Sequence, residues 1–292
     1  TLSGFAFAPQ RRKWIALAAV GVFSFYAWRW HEARATAELT VLPLNGGTAL
    51  HCDAPGMKND LLVNCGNSNS VAFVTKPFLH AQGINHLPRL ALTHGETRAV
   101  GGAALLREAI PIEQFITSAA NFRSPAYRDI IRSLEKFPDQ WLIANSGERI
   151  AGWTVLHPAA TSSFSHASDK TLVLNANIRG TKLLFLSDLG RAGQEALLES
   201  GTSLQADIVV AGLPQQGEPL CEALLNAINP KLIVISDSEY PANRRASSAL
   251  RNRLQRRGIP MIYTRETGAV KFVFRSGTWR LESVQGQLAK SD

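Results

Sequence analysis

Short apolar runs, separated by glycine, proline and polar residues, dominate the chain from residue 39 onward. Runs such as 61–64, 183–186 and 232–235 have the length of buried strands. Between them lie segments with apolar positions three and four residues apart, such as 125–135 and 246–257, which predict amphipathic helices. This alternation of strands and helices indicates an α/β fold.

The same patterns predict the remaining elements. The predicted strands are 39–44, 49–52, 61–64, 71–74, 90–93, 112–117, 152–156, 172–175, 183–186, 208–210, 232–235, 259–263, 270–274 and 279–282. The predicted helices are 77–82, 125–135, 194–200, 221–228 and 246–257.

The N-terminal segment has a different pattern. An uncharged run of 15 residues at 14–28 follows three basic residues at 11–13 and ends at Arg29. As a helix it would span about 22 Å, which is less than the ~30 Å hydrocarbon core of a bilayer. Its aromatic residues and the flanking cations nevertheless suit a membrane interface. A signal peptide or a buried core helix are the alternatives.

We therefore predict two regions. Residues 1–38 form a membrane anchor with a transmembrane helix at about 14–30, and residues 39–292 form one domain. The basic cluster before the apolar run favours a cytoplasmic location for that end, so the domain would lie on the opposite side of the membrane.

Composition adds a basic charge that is concentrated in two places. The 292 residues carry a formal charge of +8. One basic site is the anchor, and the other is segment 241–260, which has six arginines and no acidic residue. Arg251, Arg253, Arg256 and Arg257 could form a sequence-independent surface for nucleic-acid phosphates, or simply a solvated helix face. Three cysteines exclude a disulfide-rich scaffold.

The most informative segment is 92–102, which reads LTHGETRAVGG. An apolar strand ends in Thr93 and His94, and two glycines precede the next helix. This resembles the first metal-binding loop of the metallo-β-lactamase fold, T-H-x-H-x-D-H-x-G-G. The strand ending at Asp188 and the sequence PQQG at 214–217 stand where that family has a bridging aspartate and a later histidine pair. The resemblance implies an αββα sandwich.

Within that superfamily the chain most resembles the C-terminal domain of the ComEC family of DNA-internalisation competence proteins. There a transmembrane helix precedes a strand reading D-V-G-Q-G-D-A, and here residues 43–49 read PLNGGTA after the apolar run. The resemblance implies the bacterial cytoplasmic membrane, and the position of the basic cluster puts the domain on its extracytoplasmic side. It also implies three partners: single- or double-stranded DNA, the membrane, and the remainder of a polytopic channel.

The departures from the family pattern concern the metal ligands. The positions that match the site are His94, Glu96, Arg98, Asp188, Gln215, Gln216 and Ser247. At most His94, Glu96 and Asp188 could hold one Zn²⁺ or Mn²⁺ ion, because the permanent charge of Arg98 repels a second cation. We expect no bound metal and no catalytic residues, with Arg98 and Arg244 pairing with the carboxylates instead.

Three functions remain open, and the resemblance carries the first two. The first is a membrane-anchored, catalytically degenerate domain of a ComEC-like DNA-uptake protein, which handles nucleic acid or supports the channel. The second is an active metal-dependent DNA phosphodiesterase, since the resemblance implies that intact members degrade one incoming strand with metal-activated water. The third is a structural protein-interaction domain.

Overall fold

The computed structural model describes residues 9–54, 59–283 and 286–290. Within them, the strands β1 to β16 are Ala37–Pro43, Thr48–Asp53, Leu61–Val63, Leu87–Ala91, Ile112–Thr117, Trp141–Ile143, Arg149–Ile150, Trp153–His157, Val173–Ile178, Thr181–Ser187, Ile208–Ala211, Leu232–Ile235, Met261–Tyr263, Val270–Arg275, Thr278–Ser283 and Gly286–Lys290. The helices α1 to α10 are Pro9–Ala35, Ser68–Ser70, Lys76–Ala81, Thr97–Val100, Ala103–Ala109, Pro125–Leu134, Arg191–Glu199, Glu222–Ile228, Ser248–Gln255 and Thr264–Thr267.

The strands form two mixed sheets. The first sheet has the order β16-β15-β14-β1-β2-β3-β4-β5-β6, and the second has the order β13-β12-β11-β10-β9-β8-β7. In the first sheet β3 to β6 are parallel, and in the second β10 to β13 are parallel. Ligand sites in such sheets form at the carboxyl ends of parallel strands. The ends of β4 and β10 are therefore candidate positions for such a site.

Buried apolar side chains hold the layers together. Leu39, Leu61 and Phe272 of the first sheet share one core cluster with Trp153 and Phe185 of the second. A second cluster packs α7, α8 and α9 onto the outer face of the second sheet. A third packs α3 to α6 onto the outer face of the first sheet. The resulting order of layers is helices, sheet, sheet, helices, as the predicted αββα sandwich requires.

The helix α1 lies in the predicted membrane anchor. Its large apolar side chains between residues 14 and 26 are exposed, including Trp14 (71%) and Phe23 (76%). Across the part of the chain that the structure describes, no helix combines the length and the apolar character needed to cross a membrane. The transmembrane helix predicted at 14–30 is therefore not confirmed.

Two local predictions were wrong. Residues 71–74 were predicted as a strand because they are mostly apolar and β-branched, but Val71–Thr75 is a π-helical turn that joins α2 to α3. The Asn67 side chain accepts a hydrogen bond from the Ser70 N–H at 2.8 Å and starts this helical segment. The helix α5, at 103–109, is the one expected after the two glycines, but the short helix α4, at 97–100, was not predicted, since four residues are too few to show an apolar period.

Candidate functional site

The carboxyl ends of β4 and β10 bring the two best-matched residues of the family pattern together. His94 follows β4 and is 1% exposed, and Asp188 follows β10 directly and is 2% exposed. His94 Nε2 lies 3.9 Å from Asp188 Oδ2. Glu96 stands at the start of α4 and completes a group whose ligand atoms all lie within 4.8 Å of one another. Three of the predicted site residues therefore converge.

Two arginines pair with the carboxylates of this group. Arg98 Nη2 donates a hydrogen bond to Glu96 Oε2 at 2.7 Å. Arg244 Nη2 donates to the same oxygen at 3.1 Å, and Arg244 Nη1 donates to Asp188 Oδ2 at 3.3 Å. Arg244 also donates to the backbone oxygen of Leu213. With both carboxyls ionised, the two guanidinium groups balance them and the cluster is neutral.

A 3₁₀ turn, Ala242–Arg244, places the Arg244 side chain inside the protein, where it is 2% exposed. Gly212 makes room for the Asp188 carboxylate that Arg244 contacts. A Cβ at Gly212 would overlap both Asp188 Oδ1 and Thr48 Oγ1. The Thr48 hydroxyl donates to Asp188 Oδ1 at 3.3 Å, so both carboxylate oxygens have partners.

A buried polar network orients His94. Thr93 Oγ1 lies 2.9 Å from His94 Nδ1 and 3.0 Å from Ser187 Oγ. The Asn64 side chain accepts from the Thr93 N–H at 2.9 Å and donates to the Thr48 carbonyl at 3.0 Å. These contacts connect the ends of β3, β4 and β10. His94 Nε2 is buried and has no hydrogen-bond partner in the part of the chain that the structure describes.

Burial dominates the ionisation of both central groups. It lowers the pKa of His94, so the imidazole is neutral at ordinary pH. Burial raises the pKa of Asp188 to about 8, and the Glu96 carboxylate adds to the rise, while the Arg98 charge and the Thr48 hydrogen bond oppose it. The Arg244 contact also favours the ionised carboxylate.

The donor set does not fit a binuclear metal centre. His94, Glu96 and Asp188 supply three ligands, whereas two ions need more imidazoles and carboxylates. Even one ion would compete with Arg244 Nη1, which lies 3.3 Å from Asp188 Oδ2. Two features suit a metal: the convergence of the three ligand atoms, and His94 Nε2, which has no hydrogen-bond partner among the described residues. This His/Glu/Asp group could hold an ion only if the guanidinium moved away.

The other positions of the family pattern lie outside this cluster. Gln215 and Gln216 are exposed in the loop after β11. Ser247 is the N-cap of α9, where its hydroxyl accepts from the Leu250 N–H at 3.1 Å. The structure gives Ser247 a helix-capping role, and it places neither glutamine among the contacts of Asp188.

Carboxylates from other segments face the arginines around α9. Arg251 pairs with Asp237 and Glu266, and its guanidinium lies 3.8 Å from the centre of the Tyr263 ring. Arg253 pairs with Glu218 and Glu222, and Arg257 pairs with Glu222. Arg256 is exposed and contacts only its own helix, through the Asn252 carbonyl, within the described residues.

The charge around α9 is therefore small. Arg244 of segment 241–260 is left out because it pairs with Glu96 and Asp188, and Arg265, which shares the same carboxylates, is added. The six arginines on and around α9 are then Arg245, Arg251, Arg253, Arg256, Arg257 and Arg265. The five carboxylates that pair with them are Glu218, Glu222, Asp237, Glu239 and Glu266. The net excess is +1 rather than the +6 of segment 241–260 alone.

Sequence reasoning did not identify Thr48, Asn64, Thr93 or Ser187 as parts of the site. They share one signal, because Asn64, Thr93 and Ser187 are polar residues at or just after the ends of apolar strands, and Thr48 begins one. The sequence also does not show that Arg244, rather than Arg98, is the arginine that contacts both carboxylates.

Two curated proteins are similar to most of the chain. Competence protein ComA of Neisseria gonorrhoeae is 24% identical over 262 residues, which cover 89% of this chain and 35% of that protein. ComE operon protein 3 of Bacillus subtilis (strain 168) is 19% identical over 258 residues, 82% of this chain and 33% of that protein. Over most of its length the chain is similar to these ComEC-family competence proteins. It spans about a third of the length of these ComEC-type relatives. No protein-family model matches it.

Solved structures agree on the fold of the chain. Igni18, a metallo hydrolase from Ignicoccus hospitalis, superposes with a TM-score of 0.54 at 15% identity and covers 82% of this chain and 100% of its own. Tm1679, a metal-dependent hydrolase of the β-lactamase superfamily, gives 0.50 at 10% identity, with 80% and 98% covered. These similarities confirm the predicted α/β metallo-β-lactamase-like fold.

Proposed function

We propose that the chain is a catalytically degenerate metallo-β-lactamase-like domain, formed by residues 39–292, of a ComEC-like DNA-uptake protein. The observation that carries the proposal is the position of Arg244, whose guanidinium contacts both Asp188 and Glu96. A metal would supply an activated water and a Lewis acid. Here the carboxylates that would bind it are neutralised by side chains of the chain itself. The domain then handles nucleic acid or supports a channel rather than cleaving DNA.

The rest of the site gives no substitute for a metal-activated nucleophile. His94 and Ser187 are each 1% exposed and Thr93 is fully buried. A general base must reach the proton it abstracts, directly or through one water. These groups bond to one another inside the network, which supports a structural role for them.

An active metal-dependent phosphodiesterase is the second candidate, and the unpartnered His94 Nε2 favours it. Metal analysis of the purified chain, together with a nuclease assay in Mn²⁺ and in Zn²⁺, separates the two. We expect no stoichiometric metal and no cleavage of single- or double-stranded DNA. One ion per chain that is lost in Asp188→Ala, with cleavage lost in the same variant, would instead establish the phosphodiesterase.

We also propose that α1 anchors the domain to the bacterial cytoplasmic membrane, with the domain on the extracytoplasmic side. The exposed Trp14, Leu17 and Phe23 support contact with lipid or with the remainder of a polytopic channel. Co-sedimentation with lipid vesicles tests the lipid contact, and Phe23→Glu should weaken it. Replacing the exposed Phe137, which lies outside α1, with Glu is the matched control. Equal sedimentation of both variants and the natural chain would refute the lipid contact.

A structural protein-interaction domain is the third candidate. Salt-dependent binding of single-stranded DNA separates it from a nucleic-acid role, since phosphate contacts weaken steeply as salt rises. The predicted surface of Arg251, Arg253, Arg256 and Arg257 has only a small excess of positive charge, so we expect it to contribute mainly through Arg256. Absence of DNA binding at low salt would favour the protein-interaction domain.

A further inference from the structure

A cleft of about 350 Å³ opens beside the Arg98–Glu96 pair. Arg98, Gln215, Phe122, Arg123 and Ser124 are among the residues that line it. Its shape is fixed by close packing, since a Cβ at Gly95 would overlap the Phe122 side chain. Phe122 is held in turn by an edge-to-face contact with Tyr127, with ring centres 4.9 Å apart. The cleft is a preformed cavity.

The charges that line the cleft favour an anion. Glu96 is its one acidic residue, and Glu96 Oε2 already accepts from Arg98 and Arg244. The cluster of Arg98, Arg244, Glu96 and Asp188 is neutral with both carboxyls ionised and positive when Asp188 is protonated, so in either state it does not offset the positive charge of Arg123. Arg123 is exposed, and within the described residues its side chain has no hydrogen bond or ion pair.

Both arginines of the cleft have donors to spare. The Arg98 side chain is 22% exposed. Its contact with Glu96 uses one N–H of Nη2, and a guanidinium has five N–H donors in all. Guanidinium groups bind phosphate oxygens in pairs of parallel hydrogen bonds. Ser124 is the N-cap of α6, whose positive end therefore adjoins the same cleft.

We infer that this cleft binds a phosphate oxyanion through Arg98 and Arg123, with Arg98 held in place by Glu96. The phosphate could belong to a nucleic-acid strand or be free in solution. The first source rests on the proposed nucleic-acid role, and the binding chemistry does not depend on it.

Binding of a fluorescent oligothymidylate and of inorganic phosphate to the full chain, measured across a salt series, tests the inference. Arg123→Gln should lower the affinity for the oligothymidylate and for inorganic phosphate by about tenfold, which is the effect of losing one hydrogen bond to a charged group. It should also lower the slope of log affinity against log salt by about one for the oligonucleotide. Arg128→Gln is the matched control, because Arg128 is an exposed arginine on α6 outside the cleft lining, and it should leave both affinities unchanged.

The other outcomes separate the inference from the proposed function. Unchanged binding in Arg123→Gln overturns the inference, and loss of oligonucleotide binding in Arg256→Gln alone overturns it while keeping a DNA role for α9. Binding of inorganic phosphate that Arg123→Gln weakens, with no oligonucleotide binding by the natural chain, supports the cleft and refutes the nucleic-acid role.

Discussion

Removing Arg244 should destabilise the domain through the carboxylates that it leaves behind. Its guanidinium is 2% exposed and contacts Asp188 and Glu96, and the Asp188 side chain is 4% exposed. Deleting one partner of a buried ion pair costs about 3–5 kcal/mol. Burial already raises the pKa of Asp188 to about 8, so protonation of this carboxyl limits the cost. We therefore expect Arg244→Ala to lower the free energy of unfolding by about 3 kcal/mol.

Urea denaturation at neutral pH measures this loss, and a second substitution shows its origin. Asp188→Asn removes the charge that Arg244→Ala leaves unpaired, so the double variant should be more stable than Arg244→Ala alone. Arg128→Ala, at an exposed position, should change the unfolding free energy by less than about 0.5 kcal/mol. An Arg244→Ala variant as stable as the natural chain, or a double variant no better than the single one, would refute the ion-pair reasoning.

Three further results are expected. Calorimetric titration of Arg244→Ala should show one Zn²⁺ ion bound through His94, Glu96 and Asp188, whereas the natural chain should bind none. If neither protein binds Zn²⁺, the guanidinium does not compete with a metal for these ligands. Gly212→Ala should cost about 1–3 kcal/mol, seen as a lower Tm, because its Cβ would overlap Asp188; an unchanged Tm would show that the loop moves freely. Burial lowers the pKa of His51 from 6.5 to about 4. The unfolded chain therefore binds a proton at His51 more readily than the folded one, and the free energy of unfolding falls by up to about 3 kcal/mol as the pH drops from 6.5 to 4. His51→Gln should flatten this part of the stability profile in urea, and a profile as steep as that of the natural chain would assign the loss to other groups.

The strands that support the site could be predicted because each is a short apolar run with polar residues at its end. Asp188 directly follows β10, and His94 follows β4 by a few residues, so both lie where the resemblance implies ligands. The pairing of Arg98 with Glu96 could also be predicted, since both stand at metal-ligand positions of the family pattern and a buried carboxylate needs a counter-charge.

The partners of the remaining charges could not be predicted from local pattern. Thr48 and Asp188 are 140 positions apart. Arg244 and Glu96 are 148 apart, and their pairing could be predicted only from the family pattern and from the need of buried carboxylates for a counter-charge. The arginines of segment 241–260 seemed unpaired in sequence because Glu218, Glu222 and Glu266 lie outside that segment. Such pairings depend on the order of the strands and on loop paths, which periodicity does not encode.

The contact of Arg244 with Glu96 and Asp188 gives these carboxylates a counter-charge that belongs to the chain itself. A metal ion reaches its ligands from solution, so the fraction of occupied sites depends on its free concentration. The Arg244 guanidinium is covalently attached to the chain, and its effective concentration at Glu96 and Asp188 is set by folding alone. The carboxylate cluster therefore acquires its counter-charge in every folded copy, whatever the metal content of the surroundings.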